Sequence, residues 1–306
     1  MQCFYQFLNC FLKNFVLEYG YKEDKYMEYK FVISGFSDEI DENIDKQFSF
    51  LNELGIGFFE VRGVNGKNIS KLDDDELKNL KDKMTEYGIQ VSSIGSPIGK
   101  IKITDDFDEH FEEFKRVVYI AKYLGTKYIR VFSFYYPENE DPGKYKDETI
   151  SRLAKMVKYA EEQDVILLHE NEKGIYGDIA PRCRELFDNI KSPNFKGVFD
   201  PANFIQCGQK TFPDAFDMLK ENIVYMHIKD ADENGNVVPA GMGKGCVGEI
   251  IDSLKSSGYK GFLSLEPHLG SFSGLENLET DDKMTKLAQS DSGKFRIAFD
   301  ALNKLI

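Results

Sequence analysis

The sequence predicts a (β/α)8 barrel in a single domain, preceded by an N-terminal extension, and three observations carry that expectation. Eight short apolar runs recur from Tyr29 onward at intervals of roughly thirty to forty residues, the spacing of βα units. Amphipathic stretches of helical period fill the intervals, several of them closed by a glycine. The early strand–loop–helix turns carry no Gly-x-Gly-x-x-Gly, which argues against an open dinucleotide-binding sheet.

Taken in order, the strands are expected at Tyr29–Ser34, Gly57–Val61, Gln90–Ile94, Tyr128–Phe132, Val165–His169, Gly197–Phe199, Val224–Ile228 and Phe262–Leu265. Ile44, Phe48, Leu51 and Leu54 fall on one helical face, with Gly55 as the stop. Leu72, Leu77, Leu80 and Met84 do the same before Gly88, and Phe111, Phe114, Val117, Val118, Ile120 and Ala121 before Gly125. Ile150, Leu153, Met156, Val157 and Ala160 lead into the fifth strand. Later helices are expected at Arg182–Ile190, Asp214–Leu219, Val247–Ser257 and Phe295–Leu305. The polar stretch Gly270–Ser290 is long for a routine connection and reads as a lid over the barrel mouth.

Residues 1–28 read as an appended helix, or as an upstream start to a protein that could begin at Met27; the barrel domain is expected over 29–306. The stretch from Cys3 to Gly20 is apolar, but it lacks the basic leading region and cleavage site of a signal peptide. Gln6, Asn9, Lys13, Asn14 and Glu18 make it too polar for a membrane span.

Of 306 residues 42% are hydrophobic and 30% charged, an ordinary globular balance with material for a large core. The net charge of −13, from 39 Lys+Arg against 52 Asp+Glu, argues against nucleic acid or an anionic membrane as partner. Five scattered cysteines (Cys3, Cys10, Cys183, Cys207, Cys246) contain no Cys-x-x-Cys pair. Neither a disulfide framework nor a thiolate zinc site is indicated, and a reducing cytoplasm is the expected compartment.

Four polar residues close four apolar runs in the second half of the chain. They are Glu170 after Val165-Ile-Leu-Leu-His, Asp200 after Phe195-Lys-Gly-Val-Phe, His227 after Ile223-Val-Tyr-Met, and Glu266 after Gly261-Phe-Leu-Ser-Leu. A charged group ending a buried strand is costly unless something there compensates it. In a barrel of parallel strands these ends converge on one mouth, and two Glu, one Asp and one His around a point suit one divalent cation: Mn²⁺, Mg²⁺, Co²⁺ or Zn²⁺.

The fragments Leu-His-Glu170-Asn171, Phe-Asp200-Pro-Ala-Asn203, Met-His227-Ile-Lys229-Asp230 and Leu-Glu266-Pro-His268 carry a resemblance. From about Met27 to Ile306 the chain resembles the sugar-phosphate isomerase/epimerase group of xylose isomerase-like TIM barrels, which includes ketose 3-epimerases, hydroxypyruvate isomerase and inosose dehydratase. The resemblance implies that Glu170, Asp200, His227 and Glu266 bind one metal ion, with Glu170 and Glu266 also flanking the substrate to move its proton. Asn203 departs from the His that some ketose 3-epimerases place there. The resemblance also allows a homo-oligomer.

Among the remaining candidates, Lys229, His268, Asn203, Glu60 and Arg62 are expected to contact substrate, and Arg130 to line the mouth beside them. Glu172, Lys173 and Tyr176 follow Glu170 in a loop at the same face. Ala240–Gly245 either presents backbone N–H groups to an anion or is a flexible turn. Strand alternation turns His169 away from the Glu170 side, and His110, on an acidic helix, is expected to be solvated.

Together these readings point to a metal-dependent isomerase or epimerase acting on a small sugar or sugar-derived substrate by proton transfer through an enediolate. A lyase or dehydratase acting on a keto-sugar, keto-inositol or 3-keto-glycoside shares the first step and differs in expelling a β-substituent. A non-catalytic sugar- or metal-binding barrel is the remaining reading. An apurinic-site DNA endonuclease, which the same superfamily contains, would gather many histidines on a basic surface; four histidines and the acidic balance fit neither requirement.

Overall fold

The structure, a computed structural model, describes residues 31–269 and 290–306. The expected N-terminal extension, and the expected lid apart from Ser290, lie outside the described residues. Eight parallel strands form one sheet: β1 (Val32–Gly35), β2 (Phe58–Val61), β3 (Gln90–Ile94), β4 (Tyr128–Val131), β5 (Ile166–Glu170), β6 (Phe195–Phe199), β7 (Ile223–Ile228) and β8 (Phe262–Leu265). Their hydrogen-bonded order is 1-8-7-6-5-4-3-2, so the chain winds once round a nearly closed barrel whose seam falls between β1 and β2. The eight expected strands are all present. β6 starts two residues before its expected position, at Phe195, where the register with β5 pairs Leu167 with Phe195 and Leu168 with Lys196.

Helices α1 (Ile44–Glu53), α2 (Asp74–Tyr87), α3 (Phe107–Leu124), α4 (Lys146–Gln163) and α5 (Ala180–Asn189) occupy the first five connections or follow them. Asp73 caps α2 in a reciprocal box with Glu76, so the helix starts after Leu72, which the periodicity had placed on its face. Gly88 and Gly125, both left-handed, end α2 and α3. The sixth connection holds two short helices, α6 (Pro201–Gln206) and α7 (Phe216–Leu219); extended Phe212 interrupts the turn before α7, which shortens the expected Asp214–Leu219 helix. Helices α8 (Val247–Ser256) and α9 (Asp291–Asn303) complete the described chain. No helix among the described residues is long and apolar enough to cross a membrane.

The core has two compartments. One lies between strands and helices; the other, inside the barrel, gathers Leu168, Val198 and Tyr225. Around that inner core Phe262 meets Phe58 and Tyr225 at ring separations of 5.1 and 5.5 Å, plugging the amino end of the barrel with aromatic rings.

Candidate metal centre at the barrel mouth

Above the aromatic plug the interior turns polar. Ser34 on β1 and Ser92 on β3 share a 2.6 Å hydrogen bond, and Ser92 also meets the Tyr225 hydroxyl at 2.9 Å. One step higher, Ser264 on β8 donates to Glu60 Oε2 at 2.7 Å, and the same oxygen lies 3.2 Å from His227 Nε2. Ser264 is the ladder partner of His227 between β8 and β7, which fixes both at one height.

The four strand-end residues meet on top of this floor. Glu170, Asp200, His227 and Glu266 are all buried, and one ligand atom from each falls within 4.8 Å of the others. His227 Nδ1 lies 3.0 Å from Glu170 Oε1, 3.5 Å from Glu266 Oε2 and 3.9 Å from Asp200 Oδ2. Asn203 Nδ2 donates to Glu170 Oε1 at 3.2 Å. Asn171 grips the Asp200 backbone twice, accepting from its N–H at 3.0 Å and donating to its carbonyl at 2.9 Å.

Two cations balance the carboxylates. Lys229 Nζ stands 2.8 Å from both Asp200 Oδ2 and Glu266 Oε2, and Arg130 Nη1 lies 3.2 Å from Glu170 Oε2. Burial works to raise the Glu170 and Glu266 carboxyls, but His227 with Arg130, and Lys229 with His227, hold both below the ordinary range. Asp200 is pushed up to about 7, because burial and the two neighbouring glutamates outweigh Lys229. Burial opposes the charged forms of His227 and Lys229, yet the surrounding carboxylates raise both.

At the rim Arg62 forms a fork on Asp38, with Nε 2.8 Å and Nη2 3.1 Å from its oxygens, and reaches Glu39 at 3.1 Å. His268 Nε2 lies 3.1 Å from Glu39 and 3.7 Å from Glu266. Glu39 is pushed up to about 7, chiefly by burial against the opposing pull of Arg62. Asp38 and Glu39 were not singled out in the sequence, where they stand close to Asp41, Glu42 and Asp45.

Several other expectations meet a definite outcome. The glycine loop does cradle an anion, but one from its own chain: Gly241, Gly243 and Gly245 donate to the Asp230 carboxylate at 3.0, 2.9 and 2.8 Å. His110 is buried rather than solvated; its Nε2 accepts the Gly99 N–H at 2.8 Å. His169 faces outward, against Phe187 and Phe195, with Ser133 Oγ 2.9 Å from its Nε2. Tyr176 is buried and its hydroxyl donates to Glu185, while Glu172 pairs with Lys100 at 2.8 Å. Lys173 lines a cavity of about 890 Å³ with Lys102, Tyr135 and Tyr136, formed by the loops after β3, β4 and β5 on the mouth face.

The donor set fits a divalent cation. Glu170 Oε2 and Asp200 Oδ2 are buried without a well-directed hydrogen bond, although Arg130 and Lys229 stand close. Oxygens in that condition gain most from a coordinated ion, and three carboxylates with one imidazole suit Mn²⁺, Mg²⁺, Co²⁺ or Zn²⁺.

A sequence profile described as "Xylose isomerase-like TIM barrel" matches residues 48–287. Among solved structures, the IolI protein with a bound zinc atom aligns at TM-score 0.69 and 17% identity, over 90% of this chain and 99% of that one. The probable 3-DHS dehydratase AsbF of Bacillus anthracis aligns at 0.66 and 17%, over 88% and 98%. The 3-keto-D-glucoside 4-epimerase YcjR of E. coli aligns at 0.65 and 16%, over 90% and 99%.

Proposed function

The chain belongs to the xylose isomerase-like TIM barrel family, and from that premise we propose that it is a divalent-metal-dependent isomerase or epimerase of a small sugar or sugar-derived ketone. The observation that carries this reading is the convergence of buried Glu170, Asp200, His227 and Glu266 on one point at the barrel mouth. A cation held there would polarise the substrate carbonyl and the adjacent hydroxyl, lowering the cost of the negative charge that develops.

The chain's own residues supply the rest. One of Glu170 and Glu266 takes the proton from the carbon beside the carbonyl and the other returns it, giving an enediolate between the two transfers. Both carboxyls are held below their ordinary range, so either can take the proton; the partner gives one back only after it has itself been protonated from solvent at the mouth. Asn203 and Arg130 fix the Glu170 carboxylate from two sides. Lys229 lies against Glu266, where its ammonium can turn toward a substrate oxygen. Arg62 and His268 stand at the rim, where substrate hydroxyls arrive.

A dehydratase or lyase is the second reading, favoured by Lys229: its ammonium, 2.8 Å from Glu266, would stabilise by hydrogen bonding the negative charge on a departing β-substituent. One experiment addresses both readings. The metal-loaded protein is incubated with a panel of keto-sugars in D₂O and followed by NMR. Isomerase or epimerase activity exchanges a C–H without loss of any fragment; elimination releases water or an aglycone. A protein that retains a divalent ion but exchanges no proton in any substrate of the panel refutes the enzymatic proposal.

A further inference from the structure

We infer that Glu60 is a positioning residue for His227, fixing which imidazole nitrogen faces the carboxylate cluster; the inference rests on the metal reading above. The imidazole stands between the two partners, with Nδ1 against Glu170 and Nε2 3.2 Å from Glu60 Oε2. If Nδ1 carries the metal, the remaining ring proton sits on Nε2, and a carboxylate is its strongest acceptor. Ser264 donates to the same Glu60 oxygen at 2.7 Å and so sets the carboxylate's angle. Since Ser264 and His227 are register partners, acceptor and ring are aligned by the β7–β8 ladder itself.

The ring has little freedom to choose otherwise. Phe36 meets it edge-on at 5.2 Å and Tyr225 at 6.0 Å. A ring flip would place a carbon against Glu60 and cost the carboxylate its imidazole partner. Glu60 Oε2 is engaged by both Ser264 and His227, so in this reading Glu60 acts through His227 and not through the substrate contact expected from the sequence. No lysine or arginine forms an ion pair with Glu60 among the described residues, which sets it apart from Glu170, Asp200 and Glu266.

The test uses the full chain and Co²⁺ as the probe, with affinity read by competition against a chromophoric chelator. Glu60→Gln keeps the shape of the side chain and should weaken Co²⁺ binding about 10-fold, and Glu60→Leu about 100-fold. A double-mutant cycle separates positioning from general structural damage. In a His227→Gln background the Glu60→Gln change should cost less than about twofold, because the group it acts through is gone. In the Co²⁺ protein, proton NMR should show one paramagnetically shifted imidazole N–H that exchanges slowly with solvent and is lost or broadened in Glu60→Leu. Unchanged Co²⁺ affinity in Glu60→Gln and Glu60→Leu overturns the inference while leaving the metal reading intact. So does a full 10-fold loss that persists without His227. Failure of the unsubstituted protein to bind Co²⁺ overturns both together.

Discussion

Strands β5 to β8 end in Glu170, Asp200, His227 and Glu266, whereas β1 to β4 send Ser34, Glu60, Ser92 and Arg130 into the same interior. The second half of the barrel thus concentrates negative charge around one point. The first half supplies a guanidinium, an acceptor for the imidazole and a floor of hydroxyl groups. Under the proposed function the four second-half residues would meet an ion or substrate directly, whereas Ser34, Glu60, Ser92 and Arg130 would act by holding other side chains. Substitutions in the two halves should therefore fail in different ways.

The largest expected effect tests that division directly. Glu266→Gln, in the second half, should lower substrate proton exchange by about 10²–10⁴-fold even after metal is restored, because the amide can neither accept nor return the substrate proton. Arg130→Leu, in the first half, should spare metal binding and reduce exchange far less, since Asn203 still holds Glu170. Deuterium incorporation measured by NMR on both variants decides it, and equal losses would erase the distinction between the halves.

Lys229 belongs to the second half by position but to the first by chemistry, because its ammonium neutralises two carboxylates. Lys229→Met leaves Asp200 and Glu266 buried without that partner and should destabilise the metal-free protein by about 3–5 kcal/mol. A divalent ion supplies the missing charge, so urea unfolding in Mn²⁺ should recover most of the loss while unfolding in EDTA should not. A variant equally unstable in both solutions would mean that the ammonium and the ion do not serve the same carboxylates.

The same contrast explains what could be read from the sequence. Each second-half residue ends an apolar run, and a charge in that place has no ordinary reason to be there. Glu60 also ends a strand, but its partner His227 is 167 residues away, and nothing local links them. Glu39 was hidden among other acids, and only the fold brings it to His268. His110 was legible and misread. It shares one helical face with Phe114, Val117, Val118 and Ala121, all buried, but the acidic neighbours Glu109, Glu112 and Glu113 suggested a solvated surface. For the glycine loop the sequence left an anion cradle and a flexible turn both open, and nothing local shows that Asp230 fills the cradle.

That cradle gives a smaller effect outside both halves. A Cβ on Gly243 would lie 2.3 Å from the Ala231 carbonyl and 2.3 Å from Asp230 Oδ1. Gly243→Ala should cost about 1–3 kcal/mol of stability by forcing the loop off Asp230. Chemical denaturation measures the loss. Gly248→Ala, inside α8 with only the end of Leu305 at 3.8 Å, serves as the control and should be unchanged or stabilised by up to about 1 kcal/mol.

The smallest effect concerns His110, on the first-half side of the molecule and away from the carboxylate cluster. Burial holds its imidazole below the ordinary value, against the opposing pull of Glu113, and its Nε2 must stay unprotonated to accept from Gly99. Below about pH 6.5 the unfolded chain takes up a proton that the folded form resists, so this group's contribution to stability falls as pH drops and is fully present above that value. His110→Leu leaves the Gly99 N–H without its acceptor and should lower stability at pH 8 by about 1 kcal/mol. It should also remove this part of the acid sensitivity, so the urea midpoints of the variant and the unsubstituted protein should draw together between pH 7 and pH 5. Parallel pH profiles would show that His110 takes up its proton without opening the Gly99 contact, and that the acid sensitivity of the fold resides instead among the carboxylates of the mouth.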